Sequence, residues 1–195
     1  MFLLRLARLV PLPGRNRERR IRVRGGIELN YRLNRGDMQS IREVWMDECY
    51  RLPFELARGR VIDLGANIGL TSLWFAHRYG CSTVIAVEPS PENARIARLN
   101  LERNNIKAEV IEAAVGAQDG TAQFDDHEDS NRGHVGSGGR VVSVVRRVKS
   151  LIAEFHPQII DYPAAIQMIE SQGFRYIPAH SASDFDSMDA FIRIT

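Results

Sequence analysis

A run of fifteen residues, 61–75, limits the possible folds of this chain more than any other part of it. It reads V-I-D-L-G-A-N-I-G-L-T-S-L-W-F, in which a short apolar strand ends in Asp63 and a turn containing Gly65, Asn67 and Gly69 leads into a helical pattern. Glycine allows the backbone to bend sharply and to approach another group closely. The run therefore predicts the first strand, turn and helix of an open parallel α/β sheet.

A second strand supports this interpretation. The apolar segment Thr83–Val87 follows the predicted helix and ends directly before Glu88. An acid at this position offers two acceptor oxygens to the two hydroxyls of a ribose. Strand, glycine turn, helix, strand and acid together are typical of a site for the adenosine half of a nucleotide-like cofactor. The alternative is a turn whose glycines serve geometry alone, and the position of Glu88 favours the cofactor.

The spacing of the turn distinguishes between cofactors. Dinucleotide-binding enzymes use G-x-G-x-x-G, which rests a pyrophosphate on the N-terminus of the helix. This chain has G-x-N-x-G, with Asn67 in place of the second glycine. The substitution favours a ligand without phosphate, for which S-adenosylmethionine is the leading candidate. It disfavours an NAD-dependent oxidoreductase.

Three motifs resemble those of the FkbM-type S-adenosylmethionine-dependent methyltransferases. They are D-L-G-A-N-I-G, V-E-P-S-P-E-N and E-A-A-V-G, and the resemblance extends from about Asp37 to Thr195. It implies a Rossmann-like α/β sheet that is mostly parallel and closes with a C-terminal antiparallel hairpin. It also implies methylation of oxygen on a small molecule or sugar, so the expected partner is a small-molecule hydroxyl acceptor.

The resemblance also assigns cofactor-binding residues. It places Glu88 at the ribose and the stretch that includes Ala113 and Ala114 along the adenine. The methionine portion of the cofactor would be surrounded by Asp63, Gly65, Asn67 and Gly69.

The chain departs from the family in one place. Family members carry a further helix and strand, ending in a motif close to D-x-E-G-A-E, before the segment similar to L-I-A-E-F-H-P. Here Val148-Lys149-Ser150 runs directly into Leu151. We therefore expect a sheet that is one central strand short, in which 140–148 or 151–155 fills the place beside the first strand, or a packing defect remains there.

The departure also removes acids from the expected reaction centre. An acceptor hydroxyl needs a base within hydrogen-bond reach. The remaining candidates for a catalytic role are Glu154, His156 and His134. Each has a structural alternative, since Glu154 can cap a neighbouring backbone group and His156 can hold the turn before Pro157.

Composition predicts three segments along the chain. Residues 1–20 form a basic arm, 21–59 contain a hairpin and a helix capped by Asp37, and 60–195 form the methyltransferase-like domain. The arm is expected either to contact an anionic membrane weakly or to lie in solvent. The polar stretch 125–139 is expected to be a loop, and the resemblance implies that this loop lies at the mouth of the active site.

The bulk numbers exclude some classes of function. A chain of 195 residues with a net charge of +2 gives no general case for nucleic-acid binding. Its two cysteines lie in no metal-binding spacing, and no metal is expected. Buried thiols in a reducing compartment are the simplest interpretation, which favours the cytoplasm.

Two functional hypotheses remain open. One is an O-methyltransferase that acts on a small molecule or sugar. The other is a cofactor-binding remnant of such an enzyme whose catalysis is impaired by the missing segment.

Overall fold

The computed structural model describes residues 16–52, 59–115, 120–125, 134–142, 150–155, 162–177 and 187–193. The chain divides into two compact units. The first consists of Met1–Met46 and Leu56–Ser143, and the second of Asp47–Glu55 and Val144–Thr195. The division into an arm, a hairpin segment and a main domain follows composition and motifs, and it stays a prediction.

The first unit contains most of the regular structure. Its elements in chain order are β1 (Glu18–Arg22), β2 (Glu28–Arg32), α1 (Arg35–Ile41), a π-helical turn (Arg42–Met46), β3 (Arg60–Leu64), α2 (Leu70–Tyr79), β4 (Thr83–Val87), α3 (Pro91–Arg103), β5 (Ala108–Ile111), β6 (Ala114–Val115), β7 (Gly120–Asp125) and β8 (His134–Val142).

A parallel sheet of β3, β4 and β5 holds the centre of this unit. β4 lies in the middle and pairs in parallel with both neighbours. Val84 and Ala86 of β4 are completely buried, and so are Ile96 and Ala97 of α3. A central strand covered on both faces needs an unbroken apolar sequence, which T-V-I-A-V provides. The strand order and the intervening helices confirm the Rossmann-like α/β class.

The β1–β2 hairpin packs against α3 through side-chain amides. The two strands pair antiparallel. The first strand begins at Glu18, three residues before position 21, where the predicted hairpin segment begins. Asn104, which caps the C-terminus of α3, accepts from the backbone N–H of Glu28 at 3.0 Å and donates to its carbonyl at 2.8 Å. Asn100 makes the same pair of contacts with Asn30, at 2.6 and 3.0 Å. Two asparagines thus bond the edge of β2 that faces away from β1.

The expected cap of the first helix is wrong in its residue. Asn34 caps α1, and its side-chain oxygen accepts a hydrogen bond from the N–H of Asp37 at 2.8 Å. Asp37 instead binds Arg32 with both carboxylate oxygens at 3.0 Å, and its side chain is fully buried. The buried charge of Arg32 requires a charged partner, while Asn34 already caps the helix. The carboxylate of Asp37 therefore pairs with Arg32. The helix also changes to a π-helical turn after Ile41.

Part of the predicted loop 125–139 is a strand. β8 begins at His134 and pairs antiparallel with β7 and in parallel with β6. The sequence G-S-G-G hides this strand, because glycine and serine carry no apolar alternation. Residues 126–133 of the predicted loop lie outside the described residues.

The second unit contains a smaller antiparallel sheet. Its described elements are β9 (Ser150–Phe155), α4 (Tyr162–Ser171), β10 (Phe174–Ile177) and β11 (Ser187–Arg193). β11 lies between β9 and β10 and pairs antiparallel with both. The predicted closing hairpin of β10 and β11 is confirmed.

The outer edge of β3 agrees with a sheet that lacks one central strand. In the described parts of the chain, β3 pairs with β4 alone, while β8 pairs with β6 and β7, and β9 with β11. Within the first unit, residues 140–142 pair with β6 and β7 and not with β3. Leu64 at the end of β3 is 42% exposed.

Two further expectations concern single features of the sequence. Cys49 and Cys81 are partly buried, so the expectation of buried thiols is met only in part. The basic arm 1–20 falls mainly outside the described residues. No helix in the part of the chain that the structure describes is both long and apolar enough to cross a membrane.

We expect Gly69→Ala to destabilise the fold more than Gly26→Ala. Both glycines have a left-handed backbone, with φ of +79° and +81°, so both substitutions carry a strain of about 1 kcal/mol. An added Cβ at Gly69 would lie 3.1 Å from Cα and Cβ of Ala97, whereas at Gly26 it meets nothing within 4 Å. Overpacking should therefore add about 1–3 kcal/mol at Gly69 alone. Urea unfolding measures both losses, and equal losses would contradict the packing role of Gly69.

Candidate cofactor site

Backbone hydrogen bonds join the carboxyl ends of the three parallel strands. The N–H of Gly65, after β3, donates to the carbonyl of Val87 at 2.9 Å. The N–H of Glu88, after β4, donates to the carbonyl of Ile111 at 3.0 Å, and Ala113 donates back to the carbonyl of Glu88 at 3.2 Å. The three turns are thereby fixed relative to one another at the edge where open α/β sheets bind ligands.

The two glycines of the first turn differ in what surrounds them. Gly65 is exposed, has φ of +77°, and an added Cβ there would meet nothing within 4 Å. Gly69 is buried against Ala97 of α3. The chain therefore needs Gly69 for helix packing, and it leaves open space beside Gly65.

Asn67 lies between these glycines and connects the turn to its surroundings. It adopts a left-handed conformation with φ of +47°. Its N–H donates to Oε2 of Glu88 at 2.8 Å, and its Nδ2 donates to Oγ of Ser40 in α1 at 3.3 Å. Its Oδ1 is buried and has no hydrogen-bond partner among the described residues. A buried acceptor without a partner is costly, so this oxygen is ready to accept from a ligand.

Glu88 is nearly buried, with 4% of its surface exposed. Its Oε1 accepts from the N–H of Ser90 at 3.0 Å and from Nδ2 of Asn93 at 3.4 Å, in addition to the bond from Asn67 to Oε2. Burial raises the pKa of Glu88, the three hydrogen bonds oppose the rise, and the negative charge of Asp63 adds to it. A carboxylate has about four lone-pair positions, so one remains for a further donor.

Asp63 ends β3 next to the glycine turn. It is half-buried, and its Oδ2 accepts a hydrogen bond from Oγ of Ser72 in α2 at 2.6 Å. Burial raises the pKa of Asp63, and the hydrogen bonds from Ser72 counteract part of this rise. Two carboxyl groups, Asp63 and Glu88, thus sit at neighbouring strand ends.

The segment after β5 presents small side chains. Ala113 and Ala114 are 2% and 3% exposed. The preceding Glu112 points outward and pairs with Arg98 at 2.7 Å. The two alanines carry no polar side-chain atom, and their side chains are almost entirely covered by the protein.

The α1 segment and the π-helical turn pack beside the glycine turn. Ser40 reaches Asn67, and Trp45 packs edge-to-face on Trp74 of α2 with ring centroids 5.5 Å apart. Trp45 also lies 6.4 Å from the ring of His77. These contacts hold the α1 segment against α2.

Two of the three candidates for catalysis, Glu154 and His134, lie on other elements. Glu154 is in β9 opposite Met188, and His134 opens β8 opposite Asp125. His156 lies outside the described residues. The catalytic roles of Glu154, His156 and His134 stay predictions.

Sequence reasoning missed the residues that support the site. Ser72 holds Asp63, and Asn93 connects Glu88 with the buried Arg32. The signal was present on α3, where Asn93, Asn100 and Asn104 recur at a spacing that places them on one face of a helix. Asparagine is an uncommon choice for the buried face of a helix, since it disfavours helices and needs partners for its amide.

The described residues contain no group of three or more histidine, cysteine, aspartate or glutamate side chains that could hold a metal ion.

Comparison with known proteins agrees with the motifs. Residues 50–126 match the family model for the methyltransferase small domain. The chain is 30% identical over 160 residues to 31-O-demethyl-FK506 methyltransferase FkbM of Streptomyces tacrolimicus. The aligned residues make up 80% of this chain and 52% of that protein. It is 28% identical over 79 residues to Methyltransferase 1 of Beauveria bassiana (strain ARSEF 2860), which covers 40% of this chain and 32% of that protein.

These matches confirm the resemblance to FkbM-type methyltransferases. The chain spans about half the length, or less, of the curated relatives that it matches. Among solved structures, TYW2 of M. jannaschii in complex with AdoMet aligns with a TM-score of 0.49 at 13% identity, over 94% of this chain and 90% of that one. A methyltransferase from Pyrococcus furiosus aligns with a TM-score of 0.49 at 14% identity, over 88% and 91% of the two chains.

The raised pKa of Glu88 predicts how stability depends on pH. The folded state binds the proton of the Glu88 carboxyl more tightly than the unfolded chain does, because the pKa of an unperturbed glutamate is about 4.3. The stability that Glu88 contributes is therefore fully present below that pH and is lost as the pH rises through the raised folded pKa. Between pH of about 4.3 and the raised folded pKa, we expect the free energy of unfolding to fall less in Glu88→Gln than in the parent. Urea unfolding at a series of pH values measures this difference.

Glu92 provides a control of opposite sign. Its hydrogen bond with Arg95 lowers its pKa, so its contribution is present above the unfolded pKa and is lost as the pH falls. Glu92→Gln should change the pH profile in the opposite direction to Glu88→Gln. Profiles that change in the same direction would contradict the assigned environment of Glu88.

Proposed function

We propose that this chain is an S-adenosylmethionine-dependent methyltransferase that methylates oxygen on a small molecule or sugar. The observation that carries the proposal is the hydrogen bond between Glu88, after β4, and the backbone of Asn67, in the turn after β3. It unites the acid and the glycine turn into one site. The matched methyltransferase domain and the FkbM relative support the same function.

The residues at the sheet edge fit this cofactor. The open side of Gly65 admits a ligand close to the backbone, and the unpartnered Oδ1 of Asn67 can accept a hydrogen bond from an ammonium group such as that of methionine. The remaining lone-pair position of Glu88 suits a ribose hydroxyl. Ala113 and Ala114, after β5, are the small apolar residues that we assign to the adenine side of the site.

The negative charge of the site suits the cofactor as well. S-adenosylmethionine, when bound, supplies an activated methyl group on a positively charged sulfur. Asp63 and Glu88 are both carboxyl groups at the edge of the sheet, so they can favour a cationic ligand electrostatically. The three hydrogen bonds on Glu88 hold its carboxylate in place before any ligand arrives, which lowers the entropic cost of binding.

The acceptor is proposed to be a hydroxyl group. The name of the Streptomyces relative describes an O-demethylated small molecule as its substrate. Transfer to a hydroxyl is helped by a base that takes its proton in the transition state. We assign this role to one of Glu154, His156 and His134, of which Glu154 and His134 lie on strands β9 and β8.

A second candidate is a protein that binds the cofactor without efficient transfer. It is favoured by the absence of the D-x-E-G-A-E-like segment and by the edge of β3, which pairs with no second strand among the described residues. In this case the adenosyl half of the site is retained, while groups that position the acceptor are lost. Turnover on a panel of hydroxyl-bearing small molecules and sugars separates the two candidates. Binding without turnover on any acceptor favours the second.

The remaining expectations concern partners and location. We propose a small-molecule partner and no nucleic acid, since the net charge is only +2. A cytoplasmic location and a weak membrane contact of the N-terminal arm are parts of the same proposal.

We expect the parent chain to bind S-adenosylmethionine with a micromolar Kd in calorimetric titration, and not to bind NAD. Glu88→Gln should weaken this binding by at least about tenfold, because hydrogen bonds to a charged group contribute about 1.5–3 kcal/mol. Glu92→Gln is the matched control, since Glu92 is an exposed acid in the first turn of α3 that pairs with Arg95. Its Kd should equal that of the parent. A parent chain that does not bind S-adenosylmethionine would overturn the proposed function.

A further inference from the structure

A buried ion pair holds the residue from which this inference starts. Arg32, in the last position of β2, donates from Nε and Nη2 to the two carboxylate oxygens of Asp37, both at 3.0 Å. The backbone N–H of Arg32 also donates to Asp37 at 2.7 Å. Asp37 is fully buried, and Arg32 is 8% exposed. A planar guanidinium paired with both oxygens of one carboxylate has a fixed orientation.

The guanidinium in turn fixes the amide of Asn93. Nη2 of Arg32 donates to Oδ1 of Asn93 at 2.6 Å. Because a guanidinium offers donors and no acceptor, the amide oxygen must face Arg32. The amide nitrogen of Asn93 is consequently turned the other way, where it donates to Oε1 of Glu88 at 3.4 Å.

Glu88 is the end of this chain of contacts. Asn93 is 3% exposed, so its link between Arg32 and Glu88 is shielded from water. Together with the N–H groups of Ser90 and Asn67, the amide nitrogen of Asn93 determines the direction of the carboxylate. Asp63 is a further titratable group that acts on Glu88.

A comparison along α3 separates this contact from simple docking of β2. Asn104 bonds to the backbone of Glu28 in β2, and Asn100 to the backbone of Asn30 and to the carbonyl of Ile68 at 2.8 Å. Asn93 bonds to β2 through the Arg32 side chain and is the member of this set that reaches Glu88. The chain thus contains a natural control for loss of an asparagine on this face.

We propose that Arg32 is a positioning residue for the cofactor, acting through the Asn93 amide to hold the Glu88 carboxylate in its binding orientation. This inference rests on the proposed function in one respect, namely that Glu88 contacts the cofactor. It extends the site to the hairpin that precedes the parallel sheet. The hairpin then sets cofactor affinity as well as stability.

The test compares single and double variants by calorimetric titration with S-adenosylmethionine. Asn93→Leu should weaken binding about tenfold, since it removes one donor from a buried carboxylate. Arg32→Lys keeps the charge beside Asp37 but loses the planar fork that reaches Asn93, and it should weaken binding about threefold or more. The double variant should bind no more weakly than Asn93→Leu alone, because Arg32 acts through Asn93.

Asn104→Leu is the matched control. It should lower the midpoint of thermal unfolding and leave the Kd unchanged, because Asn104 supports β2 without touching Glu88. A Kd for Asn93→Leu equal to that of Asn104→Leu would overturn the inference. Independent, multiplicative effects of Asn93→Leu and Arg32→Lys would overturn it as well.

A second measurement decides the inference without the cofactor. Carbon NMR of the side-chain carboxyl groups follows the titration of Glu88 in the ligand-free protein. Asn93→Leu and Arg32→Lys should raise the pKa of Glu88, and Asn104→Leu should not change it. If the parent fails to bind S-adenosylmethionine, the proposed function is overturned, and this titration still tests the link. An unchanged pKa in both variants would overturn the link itself.

Discussion

The candidate site depends on one interaction, the hydrogen bond from the backbone of Asn67 to the carboxylate of Glu88. The turn after β3 and the acid after β4 come from separate parts of the sequence, and parallel pairing brings their strands side by side. Parallel strands place all their carboxyl ends at one edge, so residues of different turns can meet there. The carboxylate of Glu88 joins two of these turns, because it accepts hydrogen bonds from the N–H groups of Asn67 and Ser90.

Because Glu88 is buried, its hydrogen bond with Asn67 is strong and also depends closely on geometry. Removing Glu88 from water disfavours its charge, while three donors favour it, and the balance leaves its pKa raised. Such a group is sensitive to the orientation of each donor. The surrounding elements orient the donors, since Arg32 binds the amide of Asn93 and Asn100 binds the carbonyl of Ile68. The hairpin and α1 therefore support the residues that contact Glu88.

The sequence predicted the parallel core well and its supports poorly. Residues 83–87 form a strand with the predicted bounds, because T-V-I-A-V is almost entirely apolar. The helical pattern predicted after the glycine turn is α2, which lies between Gly69 and Gly80. The role of Asp37 was predicted wrongly, since the competition between a helix cap and a buried arginine is settled by tertiary packing. The strand at His134 was missed because its glycines show no alternation. The asparagine contacts were missed because most of their partners, such as the backbone of Glu28 and Asn30 and the side chain of Arg32, are far away in the sequence.

The amides of α3 also protect the hairpin from unwanted association. An isolated two-stranded ribbon exposes a row of unpaired donors and acceptors, on which a foreign strand could add. Asn100 and Asn104 occupy such groups at Asn30 and Glu28, and Asp37 occupies the N–H of Arg32. Side chains thus end the ribbon where another strand would otherwise continue it. The same helix thus places Asn93 against Glu88 and, with Asn100 and its C-cap Asn104, covers the edge of β2 to which another strand could add.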